Sequence, residues 1–309
     1  MLVVTGASGL LGASVLKSAA DLGWKTVGLC HRHVLQNPAV PTIGIDLTDQ
    51  SATRRLLFEL QPDAILHCAA VTNVDWCEEN PRQAMAINAT ASGFLADIAS
   101  ALKARFLYVS TDAVFDGKKG NYVETDAPNP LNVYADSKLA GEQETQCRNP
   151  LAIIARVTIY GWNAQNKDSL AEWILKKLEQ GEDIAGFTDV FFTPILVNDL
   201  SPFLLAMLQQ RLTGLYHVAG SERISKFEFA RRVSTTFGFD VERIKPCRVQ
   251  DVKLRAARPL DASLNTEKIR QSLGHMMPDV DSGLRTFREL RLHQYPHQLK
   301  SYLVSERME

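Results

Sequence analysis

Leu2-Val3-Val4-Thr5-Gly6-Ala7-Ser8-Gly9-Leu10-Leu11-Gly12-Ala13-Ser14-Val15-Leu16 is the stretch that decides the fold. Leu2 to Thr5 reads as a short buried strand. Gly6, Gly9 and Gly12 follow at G-x-x-G-x-x-G spacing. Beyond them Leu11, Val15, Leu16, Ala19 and Leu22 recur at helical spacing, which predicts a helix over 10–22. A strand, a glycine turn and a helix in that order form the first unit of a dinucleotide-binding fold. Glycine permits the tight turn and lets the backbone approach a pyrophosphate. The free N–H groups and positive dipole end of the helix then attract it. Gly6, Ser8, Gly9, Leu10, Leu11 and Gly12 are the expected cofactor contacts. A glycine turn with no ligand is the lesser alternative, because strand and helix stand where the motif requires them.

Working outward, strands are expected at 26–30, 64–70, 106–110 and 151–157. Between them lie helices at 51–60, 81–102 and 134–146, and Pro81 suits a first helical turn. Alternating β and α with apolar strands implies a parallel sheet covered on both faces, with right-handed crossovers. The expected class is α/β, a doubly wound parallel sheet of Rossmann type. The second half is less regular, with helices at 168–180, 199–211, 226–237, 265–273 and 281–292 and a strand at 215–218. Gly186 to Pro194 is short, aromatic and turn-rich, as a binding loop would be. The tail after Arg291 has no clear period and is expected to pack loosely. The expected division is a dinucleotide domain over 1–160 with part of 190–220, and a smaller, mixed substrate lobe over 161–189 and 221–309.

The chain has 309 residues, 45% hydrophobic and 22% charged, with a formal net charge of -1. That balance is globular and gives no bulk attraction to nucleic acid or anionic lipid, so phosphate binding must be local. Cys30, Cys68, Cys77, Cys147 and Cys247 form no C-x-x-C pair, and the histidines no H-E-x-x-H. Neither zinc nor another metal is expected; reduced, mostly buried thiols in a cytoplasmic protein are. Strand one begins directly after Met1, which argues against a signal peptide, and no apolar run is long enough for a membrane span.

Strand two ends at Cys30 and is followed by His31-Arg32-His33. An acidic residue there would take the ribose hydroxyls of NAD, whereas Arg32 favours the 2′-phosphate of NADP. A solvated loop arginine is the alternative. Asp46 and Leu47 resemble the acidic-apolar pair that contacts adenine in related folds. A helix cap at Asp46 or Thr48 is the competing reading.

Tyr134-Ala135-Asp136-Ser137-Lys138 has Y-x-x-x-K spacing, which puts both side chains on one helix face. An ammonium beside a phenol favours the phenolate and lowers its pKa from about 10. Such a phenol exchanges protons near neutral pH. Thr111 stands at the carboxyl end of the strand 106–110, where ligands bind in doubly wound sheets. It is placed to share a carbonyl oxygen with Tyr134.

Thr5 to Gly12, Ser110 to Gly117 and Tyr134 to Glu142 together resemble the extended short-chain dehydrogenase/reductases, most closely the dTDP-4-dehydrorhamnose reductase group. Thr72 to Pro81, Leu215 to Gly220 and Arg258-Pro259 with Leu264-Asn265-Thr266 carry the likeness further, over roughly 1–290. The resemblance implies Thr111, Tyr134 and Lys138 as the catalytic triplet. Hydride would pass from NADPH, with NADH left open, to the 4-keto carbon of a nucleotide-linked deoxysugar. Tyr134 would donate the proton, Lys138 would hold the cofactor ribose and depress the Tyr134 pKa, and Thr111 would orient the carbonyl. Ala69, Ala70 and Asn88 would border the cofactor. The expected partner is a nucleotide-sugar substrate, not nucleic acid or membrane, with homodimerisation left open.

Thr72, Asn73, Asp75 and Asp112 are substrate candidates, against turn and cap hydrogen bonds. Phe191, Phe192 and Trp162 are candidates for stacking, against core packing. Arg258 could fork onto a nucleotide diphosphate, against a structural ion pair. The group usually has an aromatic residue where this chain has Ala113, and a glutamine-containing segment where it has Thr188 to Pro194. Both departures border the sugar pocket. Ala113 also argues against dehydratases of the superfamily, which have Asp-Glu after the catalytic Thr. An epimerase remains an alternative, as does a non-catalytic NADP-binding subunit like that of methionine adenosyltransferase.

Overall fold

The structure, a computed structural model, describes residues 1–35, 40–252 and 256–302. The strand β1, Leu2–Thr5, is buried along its whole length. It lies inside a seven-stranded sheet with β2 (Thr26–Cys30) and β3 (Thr42–Gly44) on one side. On the other side follow β4 (Ala64–His67), β5 (Arg105–Thr111), β6 (Ile153–Val157) and the strand Gly214–His217. Every pairing in this sheet is parallel. The chain runs outward from β1 to β3 and then crosses back to β4. The β1–β4 junction is thus the switch point, the crevice where open α/β sheets bind ligands.

Helix α1, Leu10–Asp21, follows the glycine turn with no side chain capping its start. Helix α2 spans Gln50–Leu60, and α3, Val74–Glu79, is a short helix that the periodicity did not reveal. The expected long helix at 81–102 begins as α4, Pro81–Met85, and ends as α5, Ala91–Ala101. Between them Ala86–Thr90 forms one π-helical turn. The strand expected at 64–70 stops at His67. Beyond it the Ala69 N–H turns to the Thr5 hydroxyl at 3.2 Å instead of extending the sheet.

Helix α6, Val133–Arg148, packs beside β5 and α5. Further on come α7 (Leu170–Glu179), α8 (Val197–Gln209) and α9 (Lys226–Phe237). Gly186 to Pro194 is built into small sheets rather than a free loop. Ile184–Phe187 pairs with Ile244–Cys247, and Phe191–Phe192 pairs antiparallel with Ile224–Ser225. The tail is corrected as well. Tyr295–Ser301 is a helix whose Tyr295 and Leu299 are buried in the main core. Two apolar residues one turn apart sufficed where no longer period existed.

Candidate active site

Gly6 has φ +63°, which suits glycine, and a Cβ there would stand 2.7 Å from the Ala69 nitrogen. A Cβ on Gly12 would stand 2.2 Å from the Gly6 carbonyl oxygen. The two glycines let the turn close against both the β4 loop and its own helix. Leu11 is buried in the core, so it offers only its backbone N–H, while Leu10 is half-buried. Ser8 is buried and its hydroxyl accepts from Gln165 at 3.2 Å. Beside it, Lys167 donates to the Thr72 hydroxyl. These two long side chains, which carried no motif, reach from the segment after Tyr160 to both edges of the crevice.

Thr5 and His67 fasten β1 to β4 through a hydroxyl–imidazole contact of 2.6 Å, and His67 continues to Ser92 at 2.9 Å. Burial drives the His67 pKa down to about 3, so it is neutral. Asn88, on the π turn, is fully buried with its amide engaged on both sides. It accepts from the Val71 N–H at 2.9 Å, and donates to the Val71 carbonyl at 3.0 Å and the Ser137 hydroxyl at 2.9 Å. Asn88 therefore clamps the loop carrying Ala69 and Ala70 to helix α6. The π turn supplies the extra residue that aims this amide, a use such bulges often serve at functional sites.

Arg32 is exposed just beyond β2, next to Asp46 beyond β3. The Asp46 carboxylate accepts from the Thr48 N–H at 2.9 Å and hydroxyl at 2.7 Å, and these bonds hold its pKa down. Asp46 is thus a turn-former, half-exposed, with one oxygen hydrogen-bonded to Thr48 and the other 3.8 Å from the His31 imidazole. The cap of α2 is neither Asp46 nor Thr48 but Asp49, which accepts from the Ala52 N–H at 2.9 Å. Leu47 is half-buried against the core.

Thr111 ends β5, and Tyr134 and Lys138 stand on successive turns of α6, whose start is capped by Asn132. The Lys138 ammonium, buried, donates to the Val109 carbonyl at 2.8 Å and lies 4.1 Å from the centre of the Tyr108 ring. Burial lowers its pKa to about 7, against the opposing pull of Glu142 and Cys68. Burial also pushes Tyr134 up to about 12, offset in part by a hydrogen bond from the Thr111 side and reinforced by the charge of Asp112. This reverses the expected depression of the phenol by Lys138. The protonated phenol is nonetheless the form a proton donor needs.

Under this triplet lies a buried ion pair. Glu142 receives Arg156 through both carboxylate oxygens, at 2.9 and 2.7 Å, and the Ser110 hydroxyl at 2.5 Å. Its position one turn beyond Lys138 places an anion beneath the lysine.

The weaker candidates divide. Asn73 caps α3 through the Trp76 N–H at 3.0 Å, as the bland reading had it. Asp75 and Arg258 pair at 3.5 Å, and Arg258 Nη1 is buried with no partner among the described residues. Trp162 is core: its indole donates to the Phe287 carbonyl at 2.9 Å and stacks on that ring at 4.1 Å. Phe192 is 4% exposed with its edge on Phe229, so it forms a wall and is not a free stacking surface. Lys226, missed in the sequence, sits 3.3 Å from the centre of the Phe192 ring and interacts with Asp112. The signal available was a cation in the first turn of a helix, the unfavourable end of the dipole. Among the described residues no His, Cys, Asp and Glu cluster could hold a metal, and no helix is long and apolar enough to cross a membrane.

A doubly wound parallel sheet with a glycine turn at its switch point, with Thr111 ending β5 beside Tyr134 and Lys138 on α6, has the arrangement of an extended short-chain dehydrogenase/reductase. The chain belongs to the family described as the RmlD substrate binding domain, whose model matches residues 1–291. It is 33% identical over 287 residues to a probable low-salt glycan biosynthesis reductase, Agl14, of Haloferax volcanii, covering 91% of this chain and 95% of that one. It is 32% identical over 281 residues to methionine adenosyltransferase 2 subunit beta of Mus musculus, covering 88% and 82%. The crystal structure of dTDP-4-dehydrorhamnose reductase from Bacillus anthracis in complex with NADP superposes with a TM-score of 0.84 at 27% identity, covering 93% and 98%.

Proposed function

We propose that this protein is an NADPH-dependent reductase of a 4-keto nucleotide sugar. The observation that carries this reading is the placement of Thr111 at the carboxyl end of β5, hydrogen-bonded to Tyr134, with the buried Lys138 one turn further along α6, at the same edge of the sheet as the glycine turn. The uncapped start of α1 and the turn shaped by Gly6 and Gly12 would hold the cofactor pyrophosphate. When bound, NADPH supplies the hydride. Tyr134, held protonated by burial, donates its proton to the carbonyl oxygen of the sugar. Thr111 orients that oxygen. The Lys138 ammonium would hold the cofactor ribose and stabilise the phenolate left behind. The unpartnered nitrogen of Arg258 suits a diphosphate oxygen, and the substrate lobe is assigned to 161–189 and 221–309, of which 253–255 and 303–309 lie outside the described residues.

Arg32, exposed beside β2, is assigned to the adenosine 2′-phosphate. Arg32→Ala is expected to weaken NADPH binding about tenfold or more and to leave NADH almost unchanged, as loss of one charged hydrogen bond would. Equal losses for the two cofactors in a fluorescence titration would refute the assignment. The reductase reading itself is tested by NADPH absorbance on a panel of 4-keto nucleotide sugars. Consumption of one equivalent of NADPH per sugar supports it, and tightly retained NAD without net consumption would favour an epimerase.

The likeness to a methionine adenosyltransferase subunit supports a second reading, a cofactor-binding subunit acting through a partner. The intact triplet weighs against it.

A further inference from the structure

Building on the dinucleotide-binding part of the reductase reading, we propose that Lys167 is a ligand of the cofactor pyrophosphate, presented by a segment over 163–168 that touches both sides of the β1–β4 switch point. Gln165 donates to the Ser8 hydroxyl at 3.2 Å, on the glycine turn. The Lys167 ammonium donates to the Thr72 hydroxyl, two residues beyond Ala70 on the loop after β4. The cofactor contacts assigned to Gly6 to Gly12, Ala69 and Ala70 lie on those same two stretches. A dinucleotide seated on them has this segment beside it.

The segment is built to hold its long side chains in place. Asn163, 5% exposed, ties it from within: its amide donates to the Lys167 carbonyl at 2.7 Å and accepts from the Gln165 N–H at 3.1 Å. Glu172 ties it to α7, receiving the Asn163 N–H at 2.9 Å and the Ser169 N–H at 2.8 Å. The Ser169 hydroxyl closes the base on the Gly161 carbonyl at 2.6 Å. The backbone is therefore set before a ligand arrives, which lowers the cost of binding. Only the exposed Lys167 side chain has to turn, a fast motion that needs no loop opening.

Charge decides the partner. From Thr5 to Val15 the glycine turn and the start of α1 carry no cation, so backbone dipoles alone face a pyrophosphate there. Lys17, the basic residue of α1, is paired with Asp21 at 2.9 Å. The Lys138 ammonium is committed to the Val109 carbonyl. Lys167 differs from both. Among the described residues no carboxylate lies within ion-pair distance of its ammonium, which meets the neutral Thr72 hydroxyl instead. A charge-assisted bond to a phosphate oxygen, with charge on both sides, is the stronger one. Thr72 is thus the resting partner and the pyrophosphate the better one.

The test measures binding, not turnover. Lys167→Met, Thr72→Val and wild type are titrated by fluorescence with NADPH and with NADH, and then with dTDP on the NADPH-saturated protein. Lys167→Met is expected to weaken NADPH and NADH alike by about 10- to 100-fold, as loss of a charged hydrogen bond would, because the pyrophosphate is common to both. Arg32→Ala, by contrast, is expected to separate them. Thr72→Val removes only the resting partner and is expected to bind both cofactors within about threefold of wild type, with dTDP bound alike by all three proteins. Unchanged cofactor affinity in Lys167→Met, a loss on NADPH alone, or a loss confined to dTDP would overturn the proposal. So would an equal loss in Thr72→Val, which would make the contact a structural tie. A wild type that binds neither dinucleotide would overturn the reductase reading and the inference together. One that binds NADPH and reduces no 4-keto sugar would overturn that reading alone.

Discussion

Tyr134→Phe is expected to lose about 100- to 10,000-fold in kcat while binding NADPH as wild type does, the range typical of removing a positioned general acid. The phenol is partly buried on the first turn of α6, and the Thr111 hydroxyl is its polar neighbour. Phenylalanine fills the same volume, so neither the helix nor the glycine turn has reason to move. Only the transferable proton disappears. The affinity should survive because the cofactor contacts assigned to Gly6 to Gly12 and Arg32 lie on other elements, and Lys138, the contact assigned on α6, is held by its own bond to the Val109 carbonyl. Stopped turnover with intact NADPH binding is the expected pattern in parallel kinetics and titration. Turnover near the wild-type rate would remove Tyr134 from the mechanism.

Glu142→Gln is expected to cost about 3–5 kcal/mol of stability, because it strands Arg156 as an uncompensated buried charge. The two side chains are 6% and 3% exposed and are joined bidentately. What remains for the guanidinium is the Phe115 ring, 4.9 Å away, with Nη1 already lacking a partner. Denaturant midpoints check this, and an unchanged midpoint would contradict it. A second consequence concerns Lys138. Burial lowers its pKa to about 7 and Glu142 pulls it upward, so removing that anion lowers it further. In the proposed mechanism reduction uses the cationic lysine, which is present below its pKa and lost as pH rises through it. The alkaline limb of the wild-type rate is therefore expected near or above pH 7, and the variant's limb at lower pH.

The parts of the fold that were legible were those where one local rule acted alone. Gly6 to Gly12 needed only a steric argument, since two of its positions exclude a Cβ whatever the ligand. The helix bearing Tyr134 and Lys138 needed only the i to i+4 rule. Asn88, expected near the cofactor, is held as a clamp between Val71 and Ser137. The π turn that aims it adds a residue to a helix without disturbing its apolar pattern, and so leaves no trace in the periodicity. Asp46 was ambiguous because aspartate after a strand serves equally as ligand or turn, and the Thr48 contacts decide that one oxygen goes to the turn. The phenol of Tyr134 shifted opposite to expectation because burial, invisible in spacing, dominates, while the Lys138 ammonium is committed to the Val109 carbonyl. Lys226 reaches the site through an antiparallel pairing of two-residue strands, too short for any alternation to predict.

On the proposed reading these residues serve one event, the delivery of hydride and proton to a sugar carbonyl held between the glycine turn and helix α6. The most direct measurement uses NADPH deuterated at C4 on the transferred face, with a 4-keto nucleotide sugar as acceptor, and reads the product by mass and by NMR. The account predicts one deuterium at C4 of the reduced sugar per NADPH oxidised. A product without deuterium at C4, or no oxidation of NADPH with any 4-keto nucleotide sugar, would contradict it.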